Sequence, residues 1–253
     1  MCSRKRNSWF PSYRPYKKVK MKVSSSAWVW KGPSIIDGKP IILFCTCITR
    51  PSTNRKTSWM VQTYILREDI PPHKAVWEKE DISICGNCLL RKNRFKKKGQ
   101  QNGCYVNVAR APLQIWNSYQ NGNIPYVKPK EFINPYDRPI RQGAYGDPTL
   151  VPYEVWEQLN KSTTRIGTSY THMWNEPWFD KRQLNLSMAS VETLKGKKLA
   201  NQMGAKTYRI VDNKNQLLDD EIMCPQKEFD IPCTECNLCS GSRKSKNIAV
   251  LRV

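Results

Sequence analysis

The chain has 253 residues, 39% of them apolar, and a formal net charge of +21. That length suits one large domain, or one domain with an appended module, able to bury a core without disulfide staples. No apolar run approaches the ~18 residues of a membrane-spanning helix, so no membrane partner is expected. The opening segment, MCSRKRNSWFPSYRPYKKVKMK, lacks the apolar stretch of a secretory signal.

Residues 1–24 hold eight Lys or Arg and no Asp or Glu, with Pro11 and Pro15 opposing helix, and read as a basic disordered arm. Residues 27–30 (AWVW), 40–48 (PIILFCTCI) and 58–66 (SWMVQTYIL) read as strands, with a turn at Asp37-Gly38 between the first two. Pro71-Pro72 breaks the chain after the third. A helix is expected from about Arg110, with Pro112 in its first turn.

In the second half, strands are expected at 138–145, 168–174, 184–191 and 205–211. Helices are expected at 152–160 and 192–203, the latter stopped by Gly204. An apolar, strand-like NIAVL closes the chain. Strand and helix alternation predicts an α/β fold of parallel βαβ units, as a partial or irregular (β/α) barrel. The division this suggests is an arm at 1–24, an α/β domain at 25–219 with a cysteine loop and basic insertion at 82–104, and a cysteine-rich tail at 220–253.

Ten cysteines form groups. Cys233, Cys236 and Cys239 stand as C-x2-C-x2-C, with eight residues between Cys224 and Cys233. Thiolates at that spacing on a turn converge on one ion, and a fourth from a neighbouring loop completes the shell. The pattern serves zinc and iron–sulfur clusters alike. Cys85 and Cys88 form a C-x2-C, with fifteen residues before Cys104. Three ligands leave a position open for water or substrate, and His73 is a further donor for this set. A reducing intracellular compartment is expected, the host cytoplasm if the chain is phage-encoded, where clustered cysteines hold metal rather than disulfides. Cys45 and Cys47 alternate along a strand and are expected to share a face as small buried apolar groups.

Ligands of parallel α/β sheets bind at strand carboxyl ends. Polar residues fall at several such ends here, and Asp147, His172 and Arg141 are the candidate catalytic residues; Ser190 and Glu192 follow another strand. Each also has a structural reading: Asp147 shapes a turn before Pro148, Glu192 complements a helix start, and His172 is a core histidine. Arg91, Lys92, Arg94, Lys96, Lys97 and Lys98 form a cationic run suited to phosphates, and Tyr105 is placed to stack a base. No P-loop, dinucleotide fingerprint, G-x-S-x-G or H-E-x-x-H motif occurs.

Five segments then stand in order: CGNC…GCYVNVARAPLQIW, PIRQGAYGDPTLVPYEVWEQL, SYTHMW, MASVETLKGKKLANQMGAKTYRIV and CP…PCTECNLCSG. Over roughly residues 80–251 they resemble a group of bacteriophage and mobile-element proteins, a resemblance that implies no particular reaction. A looser, architectural similarity is to the radical S-adenosylmethionine enzymes. It implies a cluster with one open iron at Cys85, Cys88 and Cys104, a second cluster at the C-terminal cysteines, and S-adenosylmethionine as cofactor. The customary C-x3-C-x2-C of that family is replaced here by C-x2-C-x15-C.

Two functions fit these residues. One is an iron–sulfur enzyme acting on nucleic acid or a nucleotide at the strand ends. The other is a non-enzymatic nucleic-acid-binding protein with structural Zn2+. Oligomeric state is not encoded in any motif.

Overall fold

The computed structural model describes residues 23–92, 103–241 and 246–252. The basic arm, all but its last two residues, lies outside them. The fold is mixed α/β with two sheets. In the first, β1 (Ser26–Pro33), β2 (Pro40–Thr46) and β3 (Val61–Arg67) form an antiparallel meander, and β4 (Ile140–Tyr145) joins β3 in parallel. In the second, β5 (Tyr170–Thr171), β6 (Met188–Val191), β7 (Thr207–Val211), β8 (Glu221–Met223) and β9 (Asn247–Leu251) are all parallel, in the order β5-β6-β7-β9-β8. Parallel pairing, expected from the alternation of strand and helix in the second half, begins at β3. The 34–39 connection between β1 and β2 is too short for a crossover, and the longer 47–60 connection between β2 and β3 holds no helix and returns the chain antiparallel.

The two sheets meet at a parallel bridge between Arg141 and Thr168. Gln142 N–H donates to the Thr168 carbonyl at 2.8 Å, and Thr168 N–H donates to the Ile140 carbonyl at 3.1 Å. Gly167 makes this approach possible, because a Cβ there would overlap the Ile140 carbonyl.

Eight helices accompany the strands among the described residues: α1 (Pro72–Trp77), α2 (Ile82–Cys85), α3 (Leu89–Lys92), α4 (Ala111–Gln120), α5 (Tyr153–Asn160), α6 (Leu194–Gln202), α7 (Pro225–Phe229) and α8 (Cys233–Cys236). Pro72, expected only to break the chain, opens α1. It needs no intrahelical N–H at that position. Pro112 occupies the first turn of α4 as expected. Thr193 caps α6, its hydroxyl accepting from Gly196 N–H, and Gly204 with φ +85° ends the segment.

Two expected strands are shorter than their apolar patterns. In 168–174 only Tyr170 and Thr171 are strand. The next two N–H groups leave the ladder: His172 N–H goes to Asp147 Oδ2 and Met173 N–H to Thr171 Oγ1. In 184–191 the first residues belong to a 3-10 turn that Asp180 caps through Arg182 N–H, and strand begins at Met188. Cys45 is buried in β2, whereas Cys47 follows the strand's last residue with φ +59°. Strand alternation therefore does not extend to Cys47, and the shared face expected for the pair does not follow.

The 220–253 segment, read from sequence as a tail, supplies β8 and β9, and β9 inserts between β7 and β8. Arg209 on β7 reaches across β9 to Glu221 on β8, in an ion pair whose side chains are 8% and 0% exposed. Ala249 stands beside Arg209 in register, and its small side chain leaves that path open. On this face α6 packs over β6 and β7, with Val191, Ala189, Ala200 and Ala205 in one apolar cluster. On the other face Met188, Tyr170, Tyr208, Ile248 and Ile222 cluster with Cys239, Cys224 and Leu238. In-register residues of parallel neighbours share a face, which is why Tyr170 meets Met188 and Tyr208 meets Ile248 there. The cysteine segment is therefore packed against the sheet face opposite α6.

Candidate functional site

Two clusters of chemistry-bearing side chains stand out. The first lies on the sheet face opposite α6. Backbone bonds lay the cysteine segment along it: Cys224 N–H donates to the Ala249 carbonyl, Cys233 N–H to the Lys56 carbonyl, and Ser169 N–H to the Cys239 carbonyl. Pro225 and Pro232 start the short helices α7 and α8, each beginning at or just after a cysteine. Asp230 and Asn237, with φ +54° and +56°, reverse the chain after each helix.

Burial pushes the thiols of Cys233 and Cys239 up, to about 11 and about 12. Neighbouring Cys224 and Cys236 add to both shifts, and a hydrogen bond between Cys239 and Tyr170 partly opposes the second. The four sulfurs thus lie within electrostatic reach of one another. Among the described residues, no three or more His, Cys, Asp or Glu side chains are arranged to hold a metal ion, and no disulfide links the described cysteines. Lys56 and Lys227 flank the group. Burial lowers the Lys56 ammonium, and Lys227 lowers it further against the pull of Cys233 and Cys224.

Arg141 belongs to this first cluster. Its Nη2 donates to Tyr105 Oη at 3.0 Å and its Nη1 to Gln62 Oε1 at 3.3 Å. Its charge is felt at Tyr64 and Cys233. Tyr105 itself is 77% exposed. Arg141 sits at the second position of β4, whereas Asp147 and His172 lie beyond strand ends, so it does not join them as a catalytic set.

The second cluster lies beyond the carboxyl ends of β4, β5 and β6. Gly146 and Asp147 follow β4. Gly146, with φ +86°, lets the backbone approach Ile65 and the Ile84 carbonyl, to which Asp147 N–H donates at 2.7 Å. The Asp147 carboxylate takes three hydrogen bonds: Oδ1 accepts from Thr149 N–H and Oγ1, and Oδ2 accepts from His172 N–H at 2.8 Å. It acts here as a clamp between two strand ends. His172 Nε2 lies 3.4 Å from Glu192 Oε1 but is not aligned for a hydrogen bond. Burial works against a charged His172 ring, but the adjacent Cys88 thiol, Glu192 and Asp147 outweigh it and shift its pKa upward.

No protein-family model, curated protein or solved structure matches this chain. The site is therefore read from its own geometry.

Cys85 ends α2 and is buried; Cys88 is partly exposed. Cys104 N–H donates to the Leu90 carbonyl, which brings the two ends of the 91–103 insertion together. His73 is exposed on α1. Of the cationic run, Arg91 is engaged internally, with Nε on Asp81 Oδ1 at 2.7 Å and a further bond to the Lys79 carbonyl. The Lys92 side chain and all of Arg94, Lys96, Lys97 and Lys98 lie outside the described residues. No helix among the described residues is long and apolar enough to cross a membrane.

Sequence reasoning missed Tyr170 and Tyr208 as a pair on the cysteine-bearing face, with ring centroids 4.5 Å apart. Parity along β5 and β7 was the available signal.

Proposed function

We propose that this chain is a thiolate-metal enzyme built on an open, partial (β/α) barrel. Cys224, Cys233, Cys236 and Cys239 bind the metal on one sheet face, and the chemistry takes place at the strand carboxyl ends around His172. The observation that carries this reading is the packing of Cys239 and Cys224 on one sheet face beside Tyr170 and Tyr208, with Cys233 and Cys236 within electrostatic reach of both and Arg141 within reach of Cys233. A thiolate site seldom stands preformed without its ion, and closure of α7 and α8 around the ion couples binding to local folding. The donor set is all sulfur, which suits an iron–sulfur cluster or Zn2+ and disfavours hard cations. S-adenosylmethionine is a weaker proposal, tied to a cluster at Cys85, Cys88 and Cys104. Kinship with the bacteriophage proteins named above is part of the same reading and rests on the order of the motifs.

The test is anaerobic purification followed by iron, sulfide and zinc analysis per chain, with a visible spectrum. Iron with matching sulfide and broad absorbance near ~400 nm identifies a cluster. About one zinc per chain and no iron identifies a structural tetrathiolate. Absence of both metals sinks the reading.

A second reading is favoured by the charge of +21 and by exposed Tyr105 held on Arg141. In it the protein grips nucleic acid, with a base stacked on Tyr105 and phosphates on cationic side chains. Its signature is affinity for single-stranded DNA or RNA that falls steeply with salt and weakens in Tyr105→Ala.

A further inference from the structure

Arg141 carries its charge without a carboxylate. Arg67, Arg91, Arg182 and Arg209 each face one. Among the described residues Arg141 hydrogen-bonds only neutral oxygens: Nη1 donates to Gln62 Oε1 at 3.3 Å and Nη2 to Tyr105 Oη at 3.0 Å. Gln62 and Arg141 stand side by side in the β3–β4 register, so their side chains share a face. Gln62 is 3% exposed, and its Nε2 donates to the Thr57 carbonyl at 2.8 Å and to the Met60 carbonyl at 3.2 Å. Both amide hydrogens are thus engaged by backbone, which turns Oε1 toward Arg141 and fixes the guanidinium. A guanidinium has about five N–H donors, and beyond the two bonds to Gln62 and Tyr105 the rest have no partner among the described residues. The Arg141 side chain is partly exposed, and Tyr105 is 77% exposed. Tyr105 Oη accepts from Arg141, which leaves its own hydrogen to donate. An oriented cation with spare donors therefore stands one phenol ring's length from an open aromatic face.

We propose that Arg141 and Tyr105 form a site for a single nucleotide unit, its phosphate taken by the spare N–H groups of Arg141 and its base laid on the Tyr105 ring. The site rests on the nucleic-acid reading above and assigns the phosphate to one residue. A planar guanidinium presents parallel N–H groups that match two phosphate oxygens at once, which an ammonium cannot do. A buried glutamate in place of Gln62 would pair with the cation internally; the amide orients it and leaves its charge for a ligand. The Tyr105 hydroxyl adds a donor beside the fork. Every base has a π face, so the ring accepts any of them, and the site selects a phosphate joined to a base rather than a sequence. A base stacked inside a duplex has no free face, so the unit comes from a free nucleotide or a single strand. The shared chemistry of both sources is a nucleoside phosphate.

The experiment uses the full chain and the fluorescence anisotropy of a labelled single-stranded adenylate decamer over a series of salt concentrations. Adenosine monophosphate, adenosine and inorganic phosphate serve as competitors. Tyr105→Ala is expected to weaken decamer binding about fivefold or more, the loss of one stacked base. Arg141→Gln is expected to weaken it by a similar factor and to make the slope of log affinity against log salt shallower by ~0.7, one phosphate contact in a single strand. Adenosine monophosphate is expected to displace the decamer at concentrations where adenosine and inorganic phosphate, each half of the ligand, do not. That displacement assigns the site to a free nucleotide; decamer binding that needs both residues but resists the monophosphate assigns it to a strand. Affinity and slope unchanged in Arg141→Gln, or affinity unchanged in Tyr105→Ala, overturns the proposal and leaves the nucleic-acid reading standing. Binding of neither the decamer nor the monophosphate at low salt overturns both. Urea unfolding shows that each variant is folded. Should Arg141→Gln not fold, Tyr105→Phe decides, because it keeps the exposed ring and removes the acceptor that orients Arg141. It is expected to weaken binding about two- to tenfold, and an unchanged affinity there overturns the proposal.

Discussion

The Asp147 carboxylate accepts the backbone N–H of His172 at 2.8 Å, tying the end of β4 to the end of β5. It is 6% exposed, and it also takes two hydrogen bonds from Thr149. Asp147→Ala leaves these donors unsatisfied and is expected to cost about 2–4 kcal/mol, since each buried orphan costs ~1–3 kcal/mol. Urea unfolding measures this. Asp147→Asn keeps an acceptor and is expected to lose less than half as much. Equal losses in the two variants would remove the clamp interpretation.

The Arg209–Glu221 pair spans β9 and is almost wholly buried. Removing one partner strands a buried charge, so Glu221→Ala is expected to destabilise by about 3–5 kcal/mol. Replacing both, Arg209→Met with Glu221→Leu, is expected to recover most of that loss. Denaturation midpoints of the three variants form the check, and a double variant as weak as the single one contradicts it.

Asp137 sits at φ +48° and accepts from Thr163 Oγ1, Thr164 Oγ1 and Thr164 N–H. Burial works against its charge, but the Thr164 and Thr163 bonds outweigh it and hold its pKa below the ordinary value. A folded pKa below the unfolded one means the unfolded chain binds the proton more readily. The stabilisation is therefore present above the ordinary Asp value, ~3.9, and is lost as pH falls through the folded value. Asp137→Asn is expected to flatten this acid limb of a stability-versus-pH curve while leaving its neutral region less changed. An unaltered limb would show that the bonds form equally in the unfolded chain.

Cys239 is 8% exposed and packs with Met188 and Ile248. Under the proposed thiolate-metal function, Cys239→Ser is expected to lower bound metal from about one site per chain to a small fraction of that, because that function makes Cys239 a ligand. Cys45→Ser, equally a buried thiol but on β2, is expected to leave metal content unchanged. Similar metal loss in both would trace it to general destabilisation.

Much of the architecture was legible because it is local. The β-branched run of β2, the Asp37-Gly38 turn, Pro112 in α4 and the Thr193 cap with Gly204 stop of α6 all act within a few residues. The β5 strand was overestimated because Asp147, twenty-five residues upstream, takes the His172 N–H that the ladder would have used. Similarly, Asp147 and His172 were identifiable as strand-end residues, but the carboxylate's work as a clamp depends on Thr149 and His172 together.

By itself the sequence determined the charge, the spacing of the cysteines, the alternation of strand and helix after residue 138, and the ends of β4, β6 and β7. Only the tertiary structure decided that β9 inserts between β7 and β8, that Arg141 faces Tyr105 and the C-terminal thiols rather than His172, and that Asp147 and Glu192 both stand beside His172. Periodicity and spacing record neighbours along the chain. These contacts join residues tens of positions apart, and they exist only once strand order and register have brought separate segments to the same edge.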